Sequence, residues 1–307
     1  MSKPRSNRRP IDGVLLIDKP YDISSNNALQ KARWLLNAAK AGHTGVLDPL
    51  ATGLLPMCFG EATKFSSFLL DADKGYRATV RFGRTTTTGD IEGDVLRERA
   101  VLFDEARLRQ VMAGFVGEIQ QVPPMYSALK HQGKPLYEYA REGIVIEREP
   151  RAITVRSLEL ISFDGQEAVM DVLCSKGTYV RTLAEDIGEA LDAGAHLTGL
   201  RRNATGGFRL EEAHQLADME AMTMPEREAL LLPPDVLVRH LEAVYLPEAD
   251  AGRFMHGQAV RFPSKCERML RFRVYSDVTR EFLGLAEVRD EGLLHPVRLL
   301  AVKSAAA

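Results

Sequence analysis

The sequence predicts an α/β (α+β) protein that ends in a small β-rich domain. Three observations carry this reading. Strand-like and helix-like periodicities interleave from residue 11 to about residue 210, a Pro-rich patch interrupts the chain at 232–235, and strand-like segments split by turn residues follow residue 258. With 307 residues the chain is long enough for more than one core.

Residues 11–18 form a short apolar run suited to a buried strand, and Lys19-Pro20 ends it. A helix is expected from Ser25 as N-cap to about Lys40, with Gly42 in the C′ role beyond it. Residues 54–59 are a second candidate strand, and Phe65, Phe68, Leu69 and Ala72 then fall at helical spacing. Between residues 76 and 84, apolar side chains at 76, 78, 80 and 82 alternate with polar ones, the pattern of a half-buried strand. Leu108, Val111, Met112 and Phe115 mark a further helix whose stripe means core.

Residues 123–150 are punctuated by Pro and Gly and mixed in charge, which describes a long surface excursion, either solvated or binding. Strands resume at 153–163 and 168–175. Val180, Leu183, Ala184, Ile187 and Leu191 then give the strongest helix its apolar face, closed by Gly194. Tyr179 and Arg181 lie off that face at the first turn. There they could be aimed into a cleft, or Arg181 could pair at the surface with Glu185 at i,i+4. An acidic helical stretch follows Glu211, and Leu232-Pro233-Pro234-Asp235 with Pro247 reads as a linker or domain boundary. Segments 269–275, 281–288 and 293–302 complete an all-β tail.

Composition narrows the function classes. An apolar content of 45% with 27% charge describes a soluble globular chain. No apolar run approaches the ~18 to 20 residues of a membrane span, and the basic segment 1–10 has no apolar stretch behind it, so a cytoplasmic protein is expected. Cys58, Cys174 and Cys266 are isolated and read as core thiols, and neither they nor the scattered histidines show metal-site spacing. Nothing marks an oligomeric seam, so a monomer is expected. Charge is uneven: residues 1–84 carry 13 Lys/Arg against 7 Asp/Glu, whereas residues 211–250 carry 2 against 10. The first region could meet a polyanion.

The run from Ala41 to Gly53 sets a lone carboxylate, Asp48, among small turn-forming residues. Gly42, Gly45 and Gly53 allow close approach of a ligand, and Pro49 biases Asp48 away from helix. Such a carboxylate can be nucleophile, base, metal ligand or turn residue.

Gly42-His43-Thr44-Gly45-Val46-Leu47-Asp48-Pro49-Leu50-Ala51-Thr52-Gly53-Leu54-Leu55-Pro56 continues into Gly60-Glu61-Ala62-Thr63-Lys64. With Lys19-Pro20, the segments 124–130 and 137–141, Lys176-Gly177-Thr178-Tyr179-Val180-Arg181 and Leu200-Arg201-Arg202, this resembles the bacterial tRNA pseudouridine synthase B family over residues 11–210. The resemblance implies a catalytic domain over 11–240, on a mixed, mostly antiparallel sheet, with an RNA-clamp insertion at about 124–151. It also implies a C-terminal PUA-like RNA-binding domain over 250–307, which rests on position more than on motif.

The activity implied is isomerisation of uridine 55 in the T loop of tRNA, by base flipping, without metal or cofactor. Asp48 would be the essential carboxylate, Arg181 its partner and Tyr76 the aromatic stacked on the flipped base. His43 would meet the RNA loop, Tyr179 and Leu200 would line the pocket, and Lys19 and Lys64 would bind substrate. Arg201 and Arg202 stay open between phosphate contacts and ion pairs, and Asp71 and Asp73 read as solvated. Two departures are local: Asp22 stands where the family has glycine, and Val46 where it has threonine or alanine. A tRNA-binding chaperone without catalysis is the alternative from another class. An Asp-dependent hydrolase would want a second, metal-binding carboxylate near Asp48.

Overall fold

In the computed structural model, which describes residues 8–262, 270–289 and 292–301, the chain is organised around one large mixed sheet. Strand β1 (Gly13–Lys19) leads into α1 (Ser25–Leu35), then β2 (Ala41–His43) and β3 (Thr52–Phe59). A 3-10 turn (Gly60–Phe65) and the single-turn α2 (Ser67–Leu70) precede β4 (Lys74–Phe82). A side hairpin, β5 (Arg84–Thr86) with β6 (Val95–Glu98), then α3 (Glu105–Ala113) and β7 (Gly117–Gln121) follow. Next come β8 (Lys130–His131), β9 (Lys134–Pro135), α4 (Leu136–Arg141), β10 (Arg151–Phe163), β11 (Glu167–Cys174), α5 (Val180–Ala190) and β12 (Ala195–Thr205). Short β13 (Phe208–Arg209), β14 (His214–Gln215), α6 (Leu216–Ala221) and α7 (Met224–Ala229) lead to the C-terminal elements.

The ten-stranded sheet runs β14-β1-β3-β12-β4-β11-β10-β7, with β2 on β3 and β13 on β12. Only β1/β14 and β3/β12 are parallel pairs along that path, so the sheet is mixed and mostly antiparallel, as the sequence implied. Alternation explains how both faces of β1 are covered. Leu15 and Ile17 join the main core with α1 and α5, whereas Val14 and Leu16 join a second core with Leu54, Phe65 and Phe208 on the other face. Strand β4 is one-sided: Tyr76, Ala78, Val80 and Phe82 are buried while Arg77 and Arg81 are exposed. Each fully buried large apolar side chain here contributes about 1.5–3 kcal/mol.

The C-terminal unit is a five-stranded sheet, β15 (Glu242–Leu246), β17 (Arg271–Ser276), β18 (Phe282–Val288), β19 (Leu293–Leu299) and β16 (Val260–Arg261), in that spatial order. It is not all-β as expected, because helix α8 (Glu248–Met255) packs on it through Ala251 and Phe254. The sheet docks on the second core: Phe282 meets Phe65 at 5.4 Å between ring centroids, and Tyr275 donates to Asp235 at 2.7 Å.

Other expectations are corrected. Helix α1 stops at Leu35 rather than near Lys40, because Asn37 takes φ +49 and closes it, so Gly42 is a strand residue rather than the C′ glycine. Its N-cap is Ser24, which accepts from the Asn27 N–H, and Ser25 is freed for another task. The patch at 232–235 is packed rather than a free linker. Leu232 bridges back to Val14, and the 3-10 turn Pro234–Val238 buries Leu237 and Val238 in the second core. Cys58 and Cys174 are buried free thiols, while Cys266 lies outside the described residues. Among the described residues no helix is long and apolar enough to cross a membrane.

Candidate active site

The loop between β2 and β3 is held from below before it presents anything. The Leu47 N–H donates to Ser25 Oγ at 2.8 Å, and the Ser25 hydroxyl donates back to the Leu47 carbonyl at 3.0 Å. Asp22 N–H and Lys19 Nζ both donate to the Pro49 carbonyl, at 3.0 and 3.4 Å. Gly53 sits at φ +101 with the Arg202 backbone pressed against it, so that an added Cβ would lie 2.3 Å from the Arg202 carbonyl oxygen. Only glycine fits there. Fixed at these points, the loop turns Asp48 outward with its side chain 43% exposed.

Arg181 holds that carboxylate. The side chain is only 8% exposed, and its Nη2 lies 2.9 Å from Asp48 Oδ2. The other contacts tie separate segments to the same guanidinium: Nη1 donates to the Thr88 carbonyl and Nη2 to the Tyr126 carbonyl, both at 2.8 Å. Asp90, almost wholly buried, completes the set at 3.5 Å from Nη1. Asp90 is itself fixed by the Thr88 hydroxyl and the Glu92 N–H. One cation thus serves two carboxylates and two carbonyls, and its orientation leaves Asp48 little freedom. The surface pairing of Arg181 with Glu185 is therefore not what the fold builds.

A cavity of about 280 Å³ opens beside Asp48. Tyr76, Tyr179, Leu200, Lys74 and Arg202 line it, with Tyr126 to Ala128 from the 123–150 segment across its mouth. Tyr179 is set at the start of α5 by Gln121, whose side-chain amide donates to the Tyr179 carbonyl and accepts from its N–H, at 3.2 and 2.8 Å. Burial raises the phenol pKa of both Tyr76 and Tyr179, so both rings stay neutral across the physiological range. A second, more open hollow of about 530 Å³ shares Asp48 and Arg181 and extends to His43, Tyr137 and Arg141. Among the described residues no cluster of His, Cys, Asp and Glu could hold a metal ion.

Sequence comparison identifies the scaffold. The model of the TruB family pseudouridylate synthase N-terminal domain matches residues 33–180, and two C-terminal domain models of the same family match residues 181–243 and 243–300. A tRNA pseudouridine synthase B of Chromobacterium violaceum is 71% identical over 98% of both chains. The chain belongs to the tRNA pseudouridine synthase B family. A second relative of that name, from Thiobacillus denitrificans, is 57% identical over 97% of this chain and 99% of its own. The fold is also that of a chain in the crystal structure of a Cbf5-Nop10-Gar1 complex, with TM-score 0.71 and 25% identity over 98% of this chain and 90% of that one.

Within this tRNA pseudouridine synthase B scaffold, Asp48, Tyr76, Arg181, Tyr179 and Leu200 meet at one cavity, and His43 borders the adjoining hollow. Burial lowers the His43 pKa, which favours the neutral ring. Lys19 and Lys64 stand elsewhere. Lys19 is fully buried, with Nζ on the carbonyls of Pro20, Ile23 and Pro49, so it braces the Asp48 loop from below. Burial brings its pKa down to about 8, against the pull of Asp48. Lys64 pairs with Glu61 and donates to the Leu299 carbonyl, which ties the two sheets together.

Asp71 and Asp73 are ion-paired on the surface with Lys176 and Arg156. Arg201 pairs with Asp18, whereas Arg202 is buried at the cavity. Asp22 takes φ +63, in the left-handed region that glycine adopts most readily. Val46 is exposed beside the cavity. Asp90 and Gln121 lie outside the stretches singled out from the sequence, whereas Ser127 lies within segment 124–130 and Ser25 was expected as a helix N-cap.

Proposed function

We propose that this protein isomerises uridine 55 in the T loop of tRNA to pseudouridine. The observation that carries the reading is Asp48, held and aimed by Arg181 at the edge of a cavity walled by Tyr76, Tyr179 and Leu200. The reaction breaks the bond from uracil N1 to ribose C1′ and forms one from C5 to C1′, with a proton lost from C5 and one gained at N1. Atoms balance without oxidant, hydrolysis or second substrate.

A base inside a stacked loop cannot present C1′ to a carboxylate, so the nucleotide must leave the stack, at a cost of a few kcal/mol. Stacking on an aromatic ring returns ~1 to 3 kcal/mol per base, which gives Tyr76 its task. At about 280 Å³ the cavity falls just below the range of ligand pockets, about 300–1,000 Å³, and suits a single nucleoside. Asp48 meets the ribose side of the scissile bond, either bonding C1′ or taking a proton beside it, and both roles need an ionised carboxylate. A protein that only binds tRNA has no use for a carboxylate fixed on a buried guanidinium. We assign residues 124–151 to clamping the T arm, residues 250–307 to further RNA contact, and the working unit to a cytoplasmic monomer.

The test is incubation of the purified protein with unmodified tRNA transcript, followed by mapping of pseudouridine. Product at position 55 supports the proposal. Product at another uridine would overturn the site assignment, and no product would overturn the activity.

A further inference from the structure

Arg202 has the burial of a core residue and the charge of an active one. It is 1% exposed, among the most deeply buried large side chains of the protein, yet it borders the cavity. Nε donates to the Leu54 carbonyl at 2.8 Å, while Nη2 has no hydrogen-bond partner. No carboxylate stands within ion-pair distance of it among the described residues, in contrast to Arg181 and Arg201. The other cation at this wall, Lys74, spends its Nζ on the carbonyls of Leu70 and Ala72.

The Arg202 charge is felt around it. It adds to burial in lowering the pKa of Lys19, His43 and Lys74, and opposes the rise at the neighbouring Tyr76 hydroxyl. A buried guanidinium without a counter-charge carries a penalty of several kcal/mol. The bond to the Leu54 carbonyl and the contact with the Tyr76 hydroxyl are neutral partners, and neither supplies a counter-charge. A state of the site in which negative charge arrives would explain it.

Such a state follows from the proposed isomerisation, on which this inference rests. When C1′–N1 breaks, N1 keeps the electron pair and the detached uracil is an anion, its charge spread over N1, O2 and O4. The base then turns, C5 bonds C1′, the C5 proton leaves and N1 is protonated. We propose that Arg202 is a further catalytic residue, its guanidinium donating to a carbonyl oxygen of the flipped uracil and stabilising the anionic base while it is detached. A fixed cation in a water-poor site acts without reorganising when charge develops, which is where electrostatic catalysis is strongest.

The test crosses the protein change with a change in the base. Single-turnover rates and tRNA affinities are measured for wild type, Arg202→Met and Arg202→Lys. The transcripts carry uridine, 2-thiouridine or 4-thiouridine at the target, since sulfur is the weaker acceptor. Arg202→Met is expected to slow the uridine reaction at least ~100-fold, with tRNA Kd within ~3-fold of wild type. On the transcript thiolated at the contacted oxygen, that penalty is expected to shrink below ~10-fold, because the same interaction cannot be lost twice. An unchanged penalty on both thiolated transcripts would overturn the proposal, as would a wild-type rate in Arg202→Met. Should Arg202→Met fail to fold, Arg202→Lys carries the same comparison, and its penalty must shrink likewise. Turnover of the uridine transcript by wild type tests the isomerase reading separately.

Discussion

Arg181→Met separates what the guanidinium does for the fold from what it does for Asp48. The substitution keeps an apolar stem but removes two carbonyl contacts at 2.8 Å and both carboxylate contacts. Asp90, 3% exposed, is left as a buried charge with only a hydroxyl and one N–H to satisfy it. Breaking a buried pair in this way costs about 3–5 kcal/mol. For a chain of 307 residues that is roughly a 5–8 °C fall in Tm. The Asp48 arm contributes less to stability, about 1 kcal/mol at most, because its side chain is 43% exposed and screened.

Its weight falls on rate. Loss of about 3 kcal/mol of transition-state stabilisation corresponds to a ~100-fold drop in single-turnover rate. Arg181 is buried, so tRNA Kd should stay within ~3-fold. Rate, filter binding and a thermal melt on the same preparation read all three quantities. A variant with wild-type Tm, or one whose rate falls only as far as its tRNA affinity, would refute the assignment of Arg181 as the holder of Asp48.

Ser25→Ala removes both hydrogen bonds to Leu47 and should lower stability by about 1–2 kcal/mol, measured by urea unfolding, and single-turnover rate by about 10-fold. Asp22→Gly relieves the φ +63 backbone and, net of the glycine entropy cost, should raise stability by about 0.5 kcal/mol in the same assay. Burial, with Asp186 beside it, raises Glu185 to a pKa of about 7. A carboxyl raised on folding contributes stability that is full below its unfolded pKa and is lost as pH rises through the folded value. Thermal melts of wild type from pH 4.5 to 8 should therefore fall relative to Glu185→Gln as pH rises. Parallel profiles would contradict the buried environment assigned to Glu185.

Local patterns were legible where burial follows the chain's own period. The alternation from Tyr76 to Phe82 gave β4, and the stripe from Val180 gave α5, because each side chain's fate is set by its immediate neighbours. The Asp48 loop was visible in its glycines and proline. Contacts between distant segments were not. Arg181 could be a surface or a cleft residue until the Thr88, Tyr126 and Asp90 segments closed over it. Asp90 itself follows the polar run 85–89, which carries no apolar period to mark it.

Lys19 shows the converse. The motif named the residue, but motif membership does not distinguish a group that touches substrate from one that braces the loop from beneath. Prolines at 233 and 234 signal irregular backbone equally in a linker and in a packed 3-10 turn, and only the burial of Leu237 and Val238 decides between them.

The proposed reaction requires Asp48 to act chemically rather than merely to hold the loop. Asp48→Asn preserves side-chain shape and a hydrogen-bond acceptor for Arg181 while removing the negative charge. Measured side by side with wild type on the same tRNA transcript, it is predicted to form no pseudouridine while binding tRNA within ~3-fold of wild type. Retained turnover, or a large loss of tRNA binding with turnover falling in step, would contradict the account.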